Sequence, residues 1–226
     1  MRLYRLDRAV LRLGEGAAAF LRAYSTNTPD KPRSAFVDVH GKIVAVFDQA
    51  LLRGDEALLA VERPFVQRVR AHLEKYLDLT GVSLKEEAHC EAFFDIDGDY
   101  RADENEVALP QPAGAVVLTG KNPPARVSEE EFLFFRLAHR VPLQGIDYDN
   151  EMLLNVFDDE DRVSYSKGCY LGQEIIARVH FRSRPPKRLE VRAEADCDTE
   201  AKKRMTSKAL DPKDGRMIGF VFTENR

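Results

Sequence analysis

Residues 35–48 read AFVDVHGKIVAVFD, two runs rich in β-branched and aromatic residues joined at His40-Gly41. Glycine takes the positive φ that a tight turn needs, so the stretch predicts a β-hairpin. The flanking segments alternate between strand and helix signals. Residues 10–13 read as a short strand, and residues 15–24 place Ala18, Phe20, Leu21 and Tyr24 at helical spacing. Residues 56–61 look like a buried strand. Pro64 suits the first turn of a helix, and Phe65, Val69, Leu73, Tyr76 and Leu77 then recur on one helical face. Strand-like runs follow at 81–85, 91–96 and 115–119, and a helix is expected over 128–138, capped by Ser128 with Glu131 three residues on. The order resembles a split βαβ sandwich, and the fold class expected is α+β. LEVRAEA and RMIGFVF give two more strands near the end, in a tail of 38 residues from Leu189 onward that is too short to fold alone and must dock on the rest.

Composition narrows the classes of function. Of the 226 residues 44% are apolar, enough for a buried core, and the net charge of −4 is spread over mixed signs. No overall field marks the chain as a nucleic-acid or lipid binder, so any basic site has to be local. The acidic run at 158–161 reads as a solvated loop. Cys90, Cys169 and Cys197 are odd in number, far apart and outside any C-x-x-C spacing. That argues against a disulfide framework and a self-contained metal cage. The N-terminal MRLYRLDRAVLRLGEG lacks an apolar signal core, and no stretch approaches the roughly 20 apolar residues of a membrane span, so a cytoplasmic location is expected.

The chemistry concentrates at residues 166–189, SKGCYLGQEIIARVHFRSRPPKRL. Gly168 and Gly172 bracket a tight turn, and residues 173–179 have the apolar spacing of a short helix or the start of a strand. If Gly172 opens a helix, Cys169 lies near unsatisfied backbone N–H groups, and Lys167 adds a positive charge. Both favour a thiolate. The plainer alternative is a buried packing cysteine. Read with period two, Arg178, His180, Arg182 and Arg184 share one face, a cationic ribbon suited to a carboxylate, a phosphate or an RNA backbone; the plainer alternative is a solvated strand face. His89-Cys90 is assigned no role. Asp95, Asp97, Asp99 and Glu106 imitate a calcium loop, but Tyr100 stands where that loop needs glycine, so a hairpin turn is expected there and no metal.

Lys167-Gly168-Cys169-Tyr170-Leu171-Gly172-Gln173-Glu174, followed by Ala177-Arg178, resembles the signature K-G-C-Y-x-G-Q-E of the YgfZ family. This is the folate-binding, iron-sulfur-maturation branch of the superfamily that includes the glycine-cleavage T-protein, an aminomethyltransferase. Phe20-Leu21 leading to Thr26-Asn27, His40-Gly41-Lys42 and residues 137–145 are similar to other family segments. The resemblance implies a T-protein-like fold around a central channel. An N-terminal module (1–48 with 139–188) would carry the signature, with a ferredoxin-like module at 49–138 and a shortened C-terminal β segment at 189–226. It implies tetrahydrofolate as cofactor and iron-sulfur client or assembly proteins as partners. Cys169 would be the functional thiolate, with Lys167 beside it. Gly168, Tyr170, Gly172, Gln173 and Glu174 would shape the pocket, while Arg178, Arg182 and Phe132 would meet the folate or its anionic tail. Ala45-Val46 stand where T-proteins carry an acidic pair, and Ala138 stands where many relatives carry a glutamate. The first of these argues against aminomethyl transfer of the T-protein kind. A folate-dependent one-carbon transferase and an RNA- or partner-binding module remain the competing readings.

Overall fold

The computed structural model describes residues 1–157 and 161–225. Along the chain run β1 (Leu3–Arg5), β2 (Arg8–Leu13), α1 (Ala17–Tyr24), β3 (Arg33–Val37), β4 (Ile43–Leu51), β5 (Ala57–Glu62), α2 (Val66–Thr80), β6 (Leu84–Glu86), β7 (Glu91–Asp95), β8 (Val107–Pro110) and β9 (Ala115–Thr119). They are followed by α3 (Glu129–His139), α4 (Leu153–Val156), α5 (Gln173–Arg182), β10 (Lys187–Ala193), α6 (Thr199–Arg204), β11 (Thr206–Leu210) and β12 (Met217–Glu224). The fold class is α+β, as expected, with three sheets whose strands pair antiparallel: β3-β4-β5-β2-β6, β1-β7-β9-β8 and β10-β12-β11.

The expected hairpin is the middle of the molecule. β3 and β4 pair across a turn in which Gly41 adopts φ +71°, and eight of the nine β4 residues are buried. A strand wet on one face would alternate, so continuous burial means that both faces of the five-stranded sheet are covered. On one face Leu11, Phe36, Phe47 and Leu59 pack against α1 and α2 through Phe20, Leu21, Val69 and Leu73. The opposite face is shared. Val10, Leu58 and Ala60 meet the four-stranded sheet through Phe94, Val116 and Leu118, while Ala35, Val37, Ile43 and Val46 meet Tyr148, Leu153, Phe157, Tyr170 and Ile176.

Helix ends follow local chemistry. Ser128 Oγ accepts from the Glu131 N–H and Glu129 to Glu131 fill the first turn of α3, favourable against the positive end of the helix dipole. Gly81, expected to begin a strand, instead ends α2 with φ +73°; β6 starts only at Leu84 because the left-handed cap uses up the intervening residues.

The last 38 residues dock as their length requires. A buried ion pair ties them down: Arg136 Nη1 donates to Asp147 Oδ2 at 2.7 Å, and Arg136 Nη2 donates to Ser207 Oγ at 2.8 Å. Asp147 also accepts from the Leu143 N–H (2.9 Å), Thr206 Oγ1 (2.9 Å) and Ser207 Oγ (2.5 Å). Arg136 is only 4% exposed, so the loop after α3 and the C-terminal sheet are fastened by charges that have left water together. Among the described residues no helix is long and apolar enough to cross a membrane.

Candidate functional site

The signature segment is held by contacts far away in sequence. Gly172 has φ +80° and immediately precedes α5; a Cβ there would lie 2.3 Å from Asp38 O and 2.9 Å from Val37 Cγ2. Only glycine allows the hairpin tip to approach this closely. Ile176, at the start of α5, would meet a Cβ on Gly41 at 3.2 Å, so each side of the contact has a glycine facing it. Lys167 Nζ donates to Ser25 O (2.5 Å) and Asn27 O (3.1 Å) and lies 4.7 Å from the centre of the Tyr170 ring. Burial, with a smaller contribution from the charge of Arg22, pulls this lysine down to about 8. Thr26 Oγ1 donates to Arg162 O (2.7 Å), and Asn27 Nδ2 donates to Asp161 O (2.5 Å) and Arg33 O (2.9 Å). The turn after α1 is therefore the seat on which residues 161–167 rest. Of the acidic run at 158–161, residues 158–160 lie outside the described residues; Asp161 is exposed and its carboxylate accepts from Arg33.

Cys169 is exposed, four residues ahead of α5, at an element boundary as expected. Its neighbour Tyr170 turns inward, and burial pushes its phenol well above the usual range. The Tyr170 hydroxyl has no hydrogen-bond partner among the described residues. Gly168 meets nothing, Gln173 gives its N–H to Tyr170 O, and Glu174 lies on the surface, where it accepts from Arg178 at 2.7 Å.

Next to this segment, where the three sheets converge, is a cavity of about 300 Å³. Its wall includes Arg33 from β3, Phe94 from β7, Gln111 to Ala113, His139 to Pro142 after α3, α4 with Phe157, Arg162, and Arg188 to Glu190 from β10. Among the described residues four arginines and one carboxylate, Glu190, line it, and Arg33 is paired with Asp161. The Arg162 guanidinium lies 4.3 Å from the centre of the Phe157 ring. Arg140 ends α3 in the left-handed conformation (φ 55°, ψ 50°), an uncommon state for a side chain of this size. Asn155 is 5% exposed, and while its Nδ2 donates to Glu151, its Oδ1 has no partner among the described residues. Tyr170 belongs to the same buried cluster as Leu154 and Phe157, so the signature and the cavity wall share one packed interior.

Several expectations need correction. The stretch from Arg178 to Arg184 is not a period-two ribbon: residues 173–182 are helical, so Arg178 and Arg182 share a face with Glu174, while His180 points elsewhere and stacks on Tyr165. Arg178, Arg182 and Cys169 are not on the cavity wall. Phe132 has no face for a ligand; it is 3% exposed and stacks on Tyr4 at 4.0 Å within the core. Lys167 gives its ammonium to the carbonyls of residues 25 and 27, a positioning contact for the loop. The cationic residues that do converge, Arg33, Arg140, Arg162 and Arg188, went unassigned in the sequence. They are spread over more than 150 positions, and only two of them, Arg162 and Arg188, fall in the basic stretch 162–192.

No family model matches the chain, and no curated protein matches it. Among solved structures it is similar to the crystal structure of glycine cleavage system aminomethyltransferase T from Bartonella henselae, with a TM-score of 0.73 and 12% sequence identity; the match covers 98% of this chain and 78% of that one. The chain therefore has the fold of a glycine-cleavage T-protein.

Proposed function

We propose that, within this T-protein-like fold, the chain acts as a folate-binding accessory protein of the YgfZ type that supports assembly or repair of iron-sulfur proteins. The observation that carries the reading is the arginine-lined cavity at the meeting point of the three sheets, backed by the cluster that holds the signature tyrosine. A pteroylglutamate needs an apolar slot, a few hydrogen-bonding groups and cations for its carboxylates. Phe157, Asn155 Oδ1, which has no partner among the described residues, and the arginines of the wall, Arg140 among them, meet that description. When bound, tetrahydrofolate supplies one-carbon or reducing chemistry. The protein's part is to hold its carboxylates on Arg140, Arg162 and Arg188 and to accept a ring N–H at Asn155.

In this reading the exposed Cys169 thiol, in the turn that Gly172 closes, is the point at which sulfur or iron species are received or passed on. Tetrahydrofolate titrated calorimetrically into the wild type is expected to bind. Arg188→Glu should abolish the heat, and Cys169→Ser should leave it intact while failing to restore iron-sulfur enzyme activity in a deletion strain. No binding to the wild type removes the cofactor from the proposal, and full rescue by Cys169→Ser removes the thiol.

The named activity of the T-protein neighbour gives a second reading, aminomethyl transfer to tetrahydrofolate. Ala45, fully buried in β4, and the largely buried Val46 offer no group for it. Turnover with an aminomethyl donor would reinstate it.

A further inference from the structure

The cavity does not use the exposed end of α5, which has a composition of its own. Residues 162–192 hold eight Lys or Arg against two Glu, in a chain whose net charge is −4. Several of these cations are committed: Arg162 and Arg188 line the cavity, Lys167 holds the turn after α1, and Lys187 pairs with Glu151. Arg178, Arg182 and Arg184 remain at the surface, with Glu174 bound to the first of them. Basic residues in a last helical turn complement the helix dipole and by themselves need no ligand.

The aromatic rings beside them have no such explanation. Phe181 is 67% exposed on the same turn, and His180, also exposed, stacks on Tyr165 with ring centres 3.8 Å apart and planes within 20°. Phe181 stands edge-on to both, at 4.6 Å from His180 and 5.5 Å from Tyr165. A phenylalanine kept in water next to guanidiniums loses the burial that normally places it.

We propose that this surface binds single-stranded nucleic acid, with bases stacking on Phe181 and His180 and phosphates on Arg178, Arg182 and Arg184. Guanidiniums alone would suit an acidic protein equally well. The exposed rings decide the class, because stacking faces beside a basic track match bases joined by phosphates. The surface is separate from the cavity, so the inference stands or falls independently of the folate reading.

The test is fluorescence anisotropy of an unstructured oligonucleotide of about 12 residues, as RNA and as DNA of the same sequence, with the full chain. Three phosphate contacts give a slope of log affinity against log salt of about −2 for a single strand, and Arg182→Glu/Arg184→Glu should flatten it to about −0.7. Phe181→Ala, at an exposed position where folding is not at stake, should weaken binding about 5-fold or more without changing the slope. The proposal is overturned if neither oligonucleotide binds. It is also overturned if Phe181→Ala has no effect while polyglutamate competes as well as RNA, which marks an acidic protein partner. The third overturning result is sedimentation showing that the arginines instead join two copies of the chain.

Discussion

Replacing Asp147 with alanine tests how the C-terminal sheet is attached. The carboxylate is fully enclosed and is the only anion paired with Arg136 among the described residues. After Asp147→Ala the guanidinium keeps Val141 O and Ser207 Oγ as acceptors but stays buried without a counter-charge. Removing one partner of a buried pair costs about 3–5 kcal/mol. For a domain of this size each kcal/mol moves the melting temperature by about 2–4 °C, so a fall of roughly 6–20 °C is expected. Thermal unfolding followed by circular dichroism reads the change. Hydrogen exchange should show β11 and β12 loosening more than β2 and β5, because Thr206 and Ser207 lose their acceptor. A drop under about 2 °C, or loosening spread evenly over the three sheets, would refute the view that this pair fastens the segment.

Gly172→Ala should destabilise the fold by at least about 1–2 kcal/mol from the left-handed backbone alone, plus displacement of Asp38, read as a lower urea midpoint. An unchanged midpoint would show that the hairpin tip yields freely. Glu106 accepts from Thr119 Oγ1, Tyr100 OH and the Asp103 N–H, and these bonds, the Thr119 hydroxyl first, hold its carboxyl down at about 2. Its folded value lies below the ordinary 4.5, so the stability it adds is present above pH 4.5 and disappears as pH falls towards 2. Glu106→Gln should flatten that part of the acid unfolding curve, and identical wild-type and variant curves would count against the assignment. Lys167, lowered to about 8 mainly by burial, binds its proton more weakly folded than unfolded, so its contribution to stability rises between pH 8 and 10.5. Lys167→Met should remove that rise; its persistence in the variant would place its origin elsewhere.

What was legible in the sequence was whatever local chemistry settles. The β3–β4 hairpin announces itself through Gly41, α2 through the spacing of Phe65, Val69 and Leu73, and α3 through Ser128 and Glu131. The α5 segment was ambiguous because its apolar residues suit a helix or a strand start, and the alternating arginines after it favoured the wrong period. Phe132 looked free to stack because nothing local shows that Tyr4, 128 residues earlier, covers it. The cavity was invisible for the same reason. Its arginines come from a strand start, a helix cap, a loop and a late strand, and only the sheet topology brings them together.

The seat made by Ser25 and Asn27 is synthesised long before Lys167 arrives to occupy it. At roughly 5–20 residues per second, a ribosome takes about 7–28 s to add the intervening chain. Until Tyr148 and Leu153 are made, the apolar face formed by Ala35, Val37, Ile43 and Val46 has none of its final cover, and Tyr170 and Ile176 complete that cover only after Lys167. The nascent chain thus presents an oily ledge to water for much of its translation.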